Sequence, residues 1–290
     1  MSEPPSTHGN RKVSITSFKR MKSDREKIVM ITAYDYPVAA IADQVGVDSI
    51  LVGDSYGMVV LGYDTTIPVT VEELLPVCRA VRRGAINSLL IGDLPFMSFQ
   101  VSTEEAVRTA GRFVKEGGME AVKVEGGRDT APTIKAIAKA GIPVLGHIGV
   151  TPQTATLNGG YRVQGRSAEL GRHLIQDALS IEEAGAFGIV LEMVTEEVAK
   201  VITDTVKIPT IGIGSGRFCD GQVLVLHDII GMYPRFTPKF SKQFVNLAEP
   251  TRRALEEYSR EVRSGTFPEE SNVFRMDESQ RLKLNLRRKT

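Results

Sequence analysis

The sequence predicts a single-domain α/β fold, a (β/α)8 barrel of the TIM type, on two observations. Eight short apolar runs bounded by turn residues alternate with stretches of helical period. Most of the runs also end alike, on an acid, a histidine or a glycine. Ile50-Leu51-Val52-Gly53 leads into Asp54-Ser55, Ser88 to Gly92 into Asp93, and Ala121-Val122-Lys123-Val124 into Glu125. Pro143 to Gly146 leads into His147, and Gly188 to Leu191 into Glu192. Right-handed crossovers would put the C-terminal end of every strand on one face, where such barrels keep their sites. A doubly wound open sheet is the runner-up; it normally uses fewer strands and a Gly-rich first strand-to-helix turn.

The elements follow in order. Residues 1–12 are rich in Pro, Ser, Gly and Asn and are expected to form a disordered tail. Arg11 to Asp24 reads as a short helix over one end of the barrel. The first strand is Ile28 to Ala33, and the helix after it, Tyr36 to Gln44, stops at Gly46. Strand two is Ser49 to Gly53. The segment Ser55 to Val69 exceeds the ~2–6 residues usual between strand and helix, and its Gly and polar residues suit a cover over a site. Helix two opens at Thr70 and ends at Gly84, strand three is Ser88 to Gly92, and Thr103-Glu104-Glu105 is expected to cap helix three. Strand four is Ala121 to Glu125, helix four Thr130 to Lys139, and strand five Pro143 to Gly146. A second long loop, His147 to Arg166, precedes the longest amphipathic stretch, Ala168 to Ala184. Strand six is Gly188 to Leu191, Thr195-Glu196-Glu197 is expected to cap helix six, strand seven is Pro209 to Ile213 and strand eight Val223 to Leu226. Lys242 to Ser264 reads as helical. The catalytic domain is thus placed at residues 13–271, followed by a mobile basic tail, 272–290.

Composition narrows the function. Thirty-six basic and 35 acidic side chains leave a net charge of +1, which gives no pull toward nucleic acid or an anionic membrane. No apolar stretch approaches the ~20 residues of a membrane helix, and the N-terminus lacks an apolar signal core. Cys78 and Cys219 lack ligand-like spacing and read as reduced, structural thiols of a cytoplasmic protein.

The strand ends carry the chemistry. One acid after a strand is usually a cap or a turn residue, and a lone His is usually structural. Lys123 differs, because an unpaired ammonium inside an apolar run is costly. Lys123 and Glu125 are two apart on a strand and share a face, so Val122 and Val124 should pack on helices while the charged pair faces the barrel mouth. Asp54, Asp93 and Glu125 are hard oxygen donors with no thiolate nearby in sequence, which favours Mg2+ or a similar ion. Ser55, Lys123 and His147 suit an anionic substrate group. Glu192, across the barrel from Asp54 and Asp93, suits a base. A metal held by a 2-oxo acid acidifies the adjacent C–H, and one carboxylate can take that proton. The residues therefore point to metal-assisted enolisation of a small keto acid, with carbon–carbon bond formation or cleavage to follow. The Gly212-Ile213-Gly214-Ser215-Gly216 loop reads equally as a phosphate cradle or a tight turn.

The residues also form a known pattern. Ile31-Thr32-Ala33-Tyr34-Asp35-Tyr36, Val52-Gly53-Asp54-Ser55, Gly92-Asp93-Leu94-Pro95-Phe96 and Val122-Lys123-Val124-Glu125-Gly126-Gly127 come first. Gly146-His147-Ile148-Gly149 with Thr151-Pro152-Gln153, then Gly159-Gly160-Tyr161-Arg162-Val163-Gln164-Gly165-Arg166, then Ile211-Gly212-Ile213-Gly214 with Asp220-Gly221-Gln222 follow. In this order they resemble the ketopantoate hydroxymethyltransferase family over residues 12–270. The resemblance implies a Mg2+-dependent barrel of the phosphoenolpyruvate mutase and isocitrate lyase type. It also implies transfer of a hydroxymethyl group from 5,10-methylenetetrahydrofolate to 3-methyl-2-oxobutanoate, giving 2-dehydropantoate for pantothenate and coenzyme A synthesis. A cytoplasmic decamer, built as a pentamer of dimers, is implied as well. By motif, Asp54 and Asp93 resemble the metal ligands with Glu125 near the metal, Ser55, Lys123 and His147 the keto-acid holders, and Glu192 the proton acceptor. Ser215 stands where the pattern has Ala, a departure expected not to touch the site. The alternative is a carbon–carbon lyase or mutase of the same superfamily; such lyases usually carry a Cys on a mobile loop, and neither long loop here has one. A non-enzymatic binding scaffold would leave Lys123 in the mouth without a purpose.

Overall fold

The computed structural model describes residues 12–158, 160–233, 235 and 238–284; the expected tail at 1–11, Gly159 of the glycine motif and the chain end at 285–290 lie outside them. Eight strands form a closed barrel in chain order, β1 (Ile28–Thr32), β2 (Ser49–Val52), β3 (Leu89–Asp93), β4 (Ala121–Glu125), β5 (Val144–Gly149), β6 (Gly188–Glu192), β7 (Thr210–Ile213) and β8 (Gly221–Leu224). Every pairing is parallel, and β8 closes on β1 through Val29 opposite Gln222. The last strand thus sits two residues earlier than its sequence suggests. Leu226, His227 and Asp228 belong to a short helix instead.

Helices α1 (Ile15–Asp24), α2 (Tyr36–Gln44), α3 (Tyr56–Val59), α4 (Val71–Gly84), α5 (Thr103–Lys115), α6 (Ala131–Lys139), α7 (Ala168–Glu183), α8 (Glu196–Thr205), α9 (Leu226–Ile230), α10 (Ala248–Ser264) and α11 (Glu278–Lys283) lie before, between and after the strands. Their starts are written locally. The Asp35 carboxylate accepts from Val38 N, and Thr70 with Glu73 makes a reciprocal capping box. At α5 the cap is Ser102, whose hydroxyl accepts from Glu105 N, rather than Thr103. Thr195 precedes α8 but donates its hydroxyl to Gly165 O instead of capping its own helix. Lys12, read as part of the tail, ties the chain to the barrel floor through Ser88 O and Glu120. The segment after Asn272, read as a mobile tail, contains α11.

The two faces of each strand serve two cores. Ile50, Val52, Leu90, Val122, Val124, Ile189 and Leu191 point outward into the helices, as the spacing predicts for Val122 and Val124. Inside, Ile28, Met30, Leu51, Leu89, Ile91, Ala121, Leu145, Val190, Ile211 and Val223 fill the barrel, and α1 closes its floor with Phe18 and Met21. At about 25 cal/mol per Å2, burying each such side chain contributes roughly 1.5–3 kcal/mol. One part of the outer wall is uncovered: Val29 on β1 is 52% exposed. Among the described residues no helix is long and apolar enough to cross a membrane.

Candidate active site

The inward-facing positions that pack the barrel interior continue upward into polar side chains. Above Ala121 on β4 come Lys123 and Glu125, above Ile91 on β3 comes Asp93, above Leu145 on β5 comes His147, and above Val190 on β6 comes Glu192. Asp54 lies just past β2, where Gly53 lets the chain pass close to Asp93: a Cβ there would stand 3.0 Å from Ser55 Oγ and 3.7 Å from Asp93 Oδ2.

These side chains touch one another in a continuous series. Lys123 Nζ donates to both oxygens of Asp93, at 2.6 and 2.7 Å, and lies 3.5 Å from Glu125 Oε1. His147 lies between two carboxylates, with Nδ1 3.3 Å from Glu125 Oε1 and Nε2 3.3 Å from Glu192 Oε2. Both are charge contacts rather than aligned hydrogen bonds. The Asp54 amide N–H donates to Asp93 Oδ2 at 3.2 Å, and Ser55 shares a 2.7 Å hydrogen bond with the hydroxyl of Tyr34. All are buried except Glu192, whose side chain is 16% exposed, and Ser55. The structure thus brings the predicted residues together at one rim, with Ser55, next to Asp54 and bonded to Tyr34, at its edge.

Burial and mutual charge set the protonation of the group. Burial, with Asp93 and Glu125 close by, pushes Asp54 well above the ordinary carboxylate range. Burial also raises Asp93, in part offset by Lys123. Glu125 is held low despite its burial, because Lys123 and His147 flank it. Burial and the Lys123 charge both oppose protonation of His147, yet Glu125 and Glu192 prevail and place it at about 9. Lys123 likewise stays charged despite burial, among Asp93, Glu125 and Asp54. A cationic His147 can orient an anion or hold a carboxylate, and Glu192, the less buried of its two carboxylate neighbours, faces the mouth.

A hard divalent ion fits this donor set. Fully ionised, the four carboxylates of Asp54, Asp93, Glu125 and Glu192 face two cations, Lys123 and His147, a surplus of two negative charges. Among the described residues no three His, Cys, Asp or Glu side chains converge as a ready-made cage. Mg2+ requires no such cage; it commonly takes one or two carboxylates and completes its shell with water and substrate oxygens. Glu125 is already engaged through both oxygens, by Lys123 and His147 on one and Gln153 N on the other.

Two buried residues near these groups are not among the candidates the sequence offered for the site. Gln153, from the loop after β5, reaches the Asp54 carboxylate. Ser215, expected not to touch the site, braces the end of β6: its hydroxyl donates to Leu191 O at 2.7 Å and accepts from Val194 N at 3.0 Å. It therefore straddles Glu192 and Met193, the latter in the left-handed region at φ 47°. In the Gly212–Gly216 loop Gly214 and Gly216 stand at positive φ.

Residues 12–270 match the family profile described as ketopantoate hydroxymethyltransferase. The 3-methyl-2-oxobutanoate hydroxymethyltransferase of Thermotoga neapolitana is 54% identical over 268 residues, covering 92% of this chain and 98% of its own. The enzyme of that name from Syntrophus aciditrophicus is 53% identical over 264 residues, covering 91% of this chain and 97% of its own. Among solved structures, phosphonopyruvate hydrolase superposes with a TM-score of 0.60 at 12% identity, covering 94% of this chain and 95% of its own. A 2,3-dimethylmalate lyase superposes at 0.57 and 16% identity, covering 93% and 98%. At such identities the two structures bear on the fold alone.

Proposed function

The chain belongs to the ketopantoate hydroxymethyltransferase family, a family of transferase enzymes, and from that premise we propose that it moves a hydroxymethyl group onto 3-methyl-2-oxobutanoate. The donor in this reading is 5,10-methylenetetrahydrofolate and the product 2-dehydropantoate, a precursor of pantothenate. The observation that carries the reading is the series Asp54, Asp93, Lys123, Glu125, His147 and Glu192, buried but for Glu192, which combines two fixed cations, a hard-oxygen donor pair and a separate carboxylate at one rim.

Lys123, His147 and Ser55 hold the keto acid, the two cations offsetting its carboxylate. Asp54 and Asp93 would hold Mg2+, with Glu125 beside them. The ion, when bound, supplies electrophilic polarisation of the 2-oxo group. Glu192 stands on β6, opposite the metal-binding strands, and takes the proton from C3 of the keto acid. His147, 3.3 Å from Glu192, keeps that carboxylate paired and aimed before substrate enters. C3 then attacks the one-carbon unit of the donor. Both C–N bonds of the donor's methylene are broken, one replaced by the new C–C bond and the other by a C–O bond to water, and the protons released from C3 and from water end on the two nitrogens of tetrahydrofolate.

The reading also places the enzyme in the cytoplasm as a homo-oligomer, a decamer by resemblance. Assembly is supported by α10, which has no buried residue and exposes Leu255, Tyr258 and Val262 along one face. The test of activity is an assay with 3-methyl-2-oxobutanoate, Mg2+ and 5,10-methylenetetrahydrofolate, read by mass spectrometry. Product that requires all three supports the proposal. Cleavage of a 2-oxo acid without the folate would instead identify a lyase.

A further inference from the structure

We infer that Gln153 is a positioning residue that sets the geometry of the metal-binding carboxylates, an inference that rests on the metal site proposed above. Gln153 sits where the chain after β5 turns over the mouth. Gly149 makes that turn possible: at φ 100° it passes so close to β6 that a Cβ would stand 2.2 Å from Glu192 O. Val150 N bonds to the same carbonyl at 2.8 Å, and the short helical turn Pro152–Asn158 then carries Gln153 into the barrel mouth, where it is 2% exposed.

Its hydrogen-bonding groups reach four segments there. The side-chain Nε2 donates to Asp54 Oδ2 at 3.1 Å and to Leu94 O at 2.9 Å. The backbone N donates to Glu125 Oε2 at 3.2 Å, and Oε1 accepts from Gln100 Nε2 at 3.3 Å. Carboxylate and carbonyl oxygens only accept, so these partners admit one orientation of the amide. One residue thus ties together the ends of β2, β3 and β4.

The consequence lies at Asp54. With Oδ2 held by Gln153, the carboxylate cannot swing, and Oδ1 is the oxygen left for a cation. The grip on Glu125 Oε2 leaves its other oxygen facing Lys123 and His147. Asp93 accepts from Lys123 on both oxygens and from Asp54 N on Oδ2, which leaves its Oδ1 with a lone pair for the same cation. A hydrogen-bonded outer partner of this kind orients a ligand and tunes its affinity.

Mn2+ binding, followed by electron paramagnetic resonance on the purified enzyme without substrates, tests this. Gln153→Met keeps the volume and the backbone bond to Glu125 but removes both side-chain N–H groups. The expected result is a Kd for Mn2+ raised roughly 10–100-fold, as for loss of an outer partner, in a folded protein. Gln100→Met, at an exposed position, leaves Gln153 and its two Nε2 bonds in place but removes the 3.3 Å bond to Oε1 that helps hold the amide; it is expected to weaken binding several-fold, and it decides the matter if Gln153→Met does not fold. Unchanged Mn2+ affinity in folded Gln153→Met, or in Gln100→Met where the first does not fold, overturns the inference while the metal site stands. A wild-type enzyme that binds no Mn2+ overturns the site itself, and the role of Gln153 with it.

Discussion

Replacing Lys123 by Met removes one charge from the middle of the site while keeping a stem of similar length. Sequence alone suggests a side chain that can be neutralised with little effect on stability. The structure argues otherwise, because the ammonium lies 2.6 and 2.7 Å from the Asp93 oxygens and 3.5 Å from Glu125 Oε1, all buried. Removing one partner of a buried ion pair costs about 3–5 kcal/mol, since the other charge remains unpaired. With an unfolding entropy of about 2.1 cal/mol/K per residue, that loss lowers Tm by roughly 5–8 °C for 290 residues. The loss must depend on pH. Asp93 and Asp54 already stand above their ordinary range, and without the ammonium both rise further. A carboxyl raised in the folded state stabilises while protonated, and that contribution is lost as pH rises through its folded pKa. The variant should therefore be weakest at alkaline pH and recover as the medium is acidified. Urea unfolding followed by circular dichroism across that range measures both effects. Wild-type stability at alkaline pH, or a deficit that does not shrink in acid, would refute the reasoning.

Asp54→Asn should raise the Mg2+ concentration needed for half-maximal activity by at least the roughly 10–100-fold that loss of an outer partner costs. Because burial disfavours the Asp54 charge, the same variant should melt no lower than wild type; full activity at low Mg2+ would remove Asp54 from the metal site. Ser215→Ala leaves the buried Val194 N–H without its partner, at a cost of about 1–3 kcal/mol, and should lower kcat with KM for the keto acid unchanged. Unaltered kcat would reduce Ser215 to a packing role. Light scattering of the active enzyme should give a mass well above 31.7 kDa, and a monomeric active species would falsify the assembly.

Much of this site was legible because a strand alternates. Once Lys123 is recognised inside an apolar run, its partner Glu125 and the outward Val122 and Val124 follow from a period of two. The same parity selects Asp93, His147 and Glu192 above Ile91, Leu145 and Val190. Gln153 was not legible, because a loop residue has no period; its place depends on how Gly149 turns against β6. Ser215 acts across 24 residues of sequence to Leu191, so only the closed barrel reveals the contact. The α5 cap moved by one position since Ser102 and Thr103 are both good caps, and the backbone at Ser102 decides between them. At β8 the apolar run Val223 to Leu226 is shared between a strand end and a short helix, which periodicity over four residues cannot divide.

Glu192 as the base that opens the reaction is the central claim, and proton exchange tests it without the folate donor. Enzyme, Mg2+ and 3-methyl-2-oxobutanoate in D2O should exchange the C3 proton for deuterium, followed by the collapse of the methyl doublet in the 1H NMR spectrum. Glu192→Gln keeps the shape of the side chain and should still bind the keto acid, while exchange slows by roughly 10²–10⁴-fold. Exchange at the wild-type rate in that variant would contradict the account.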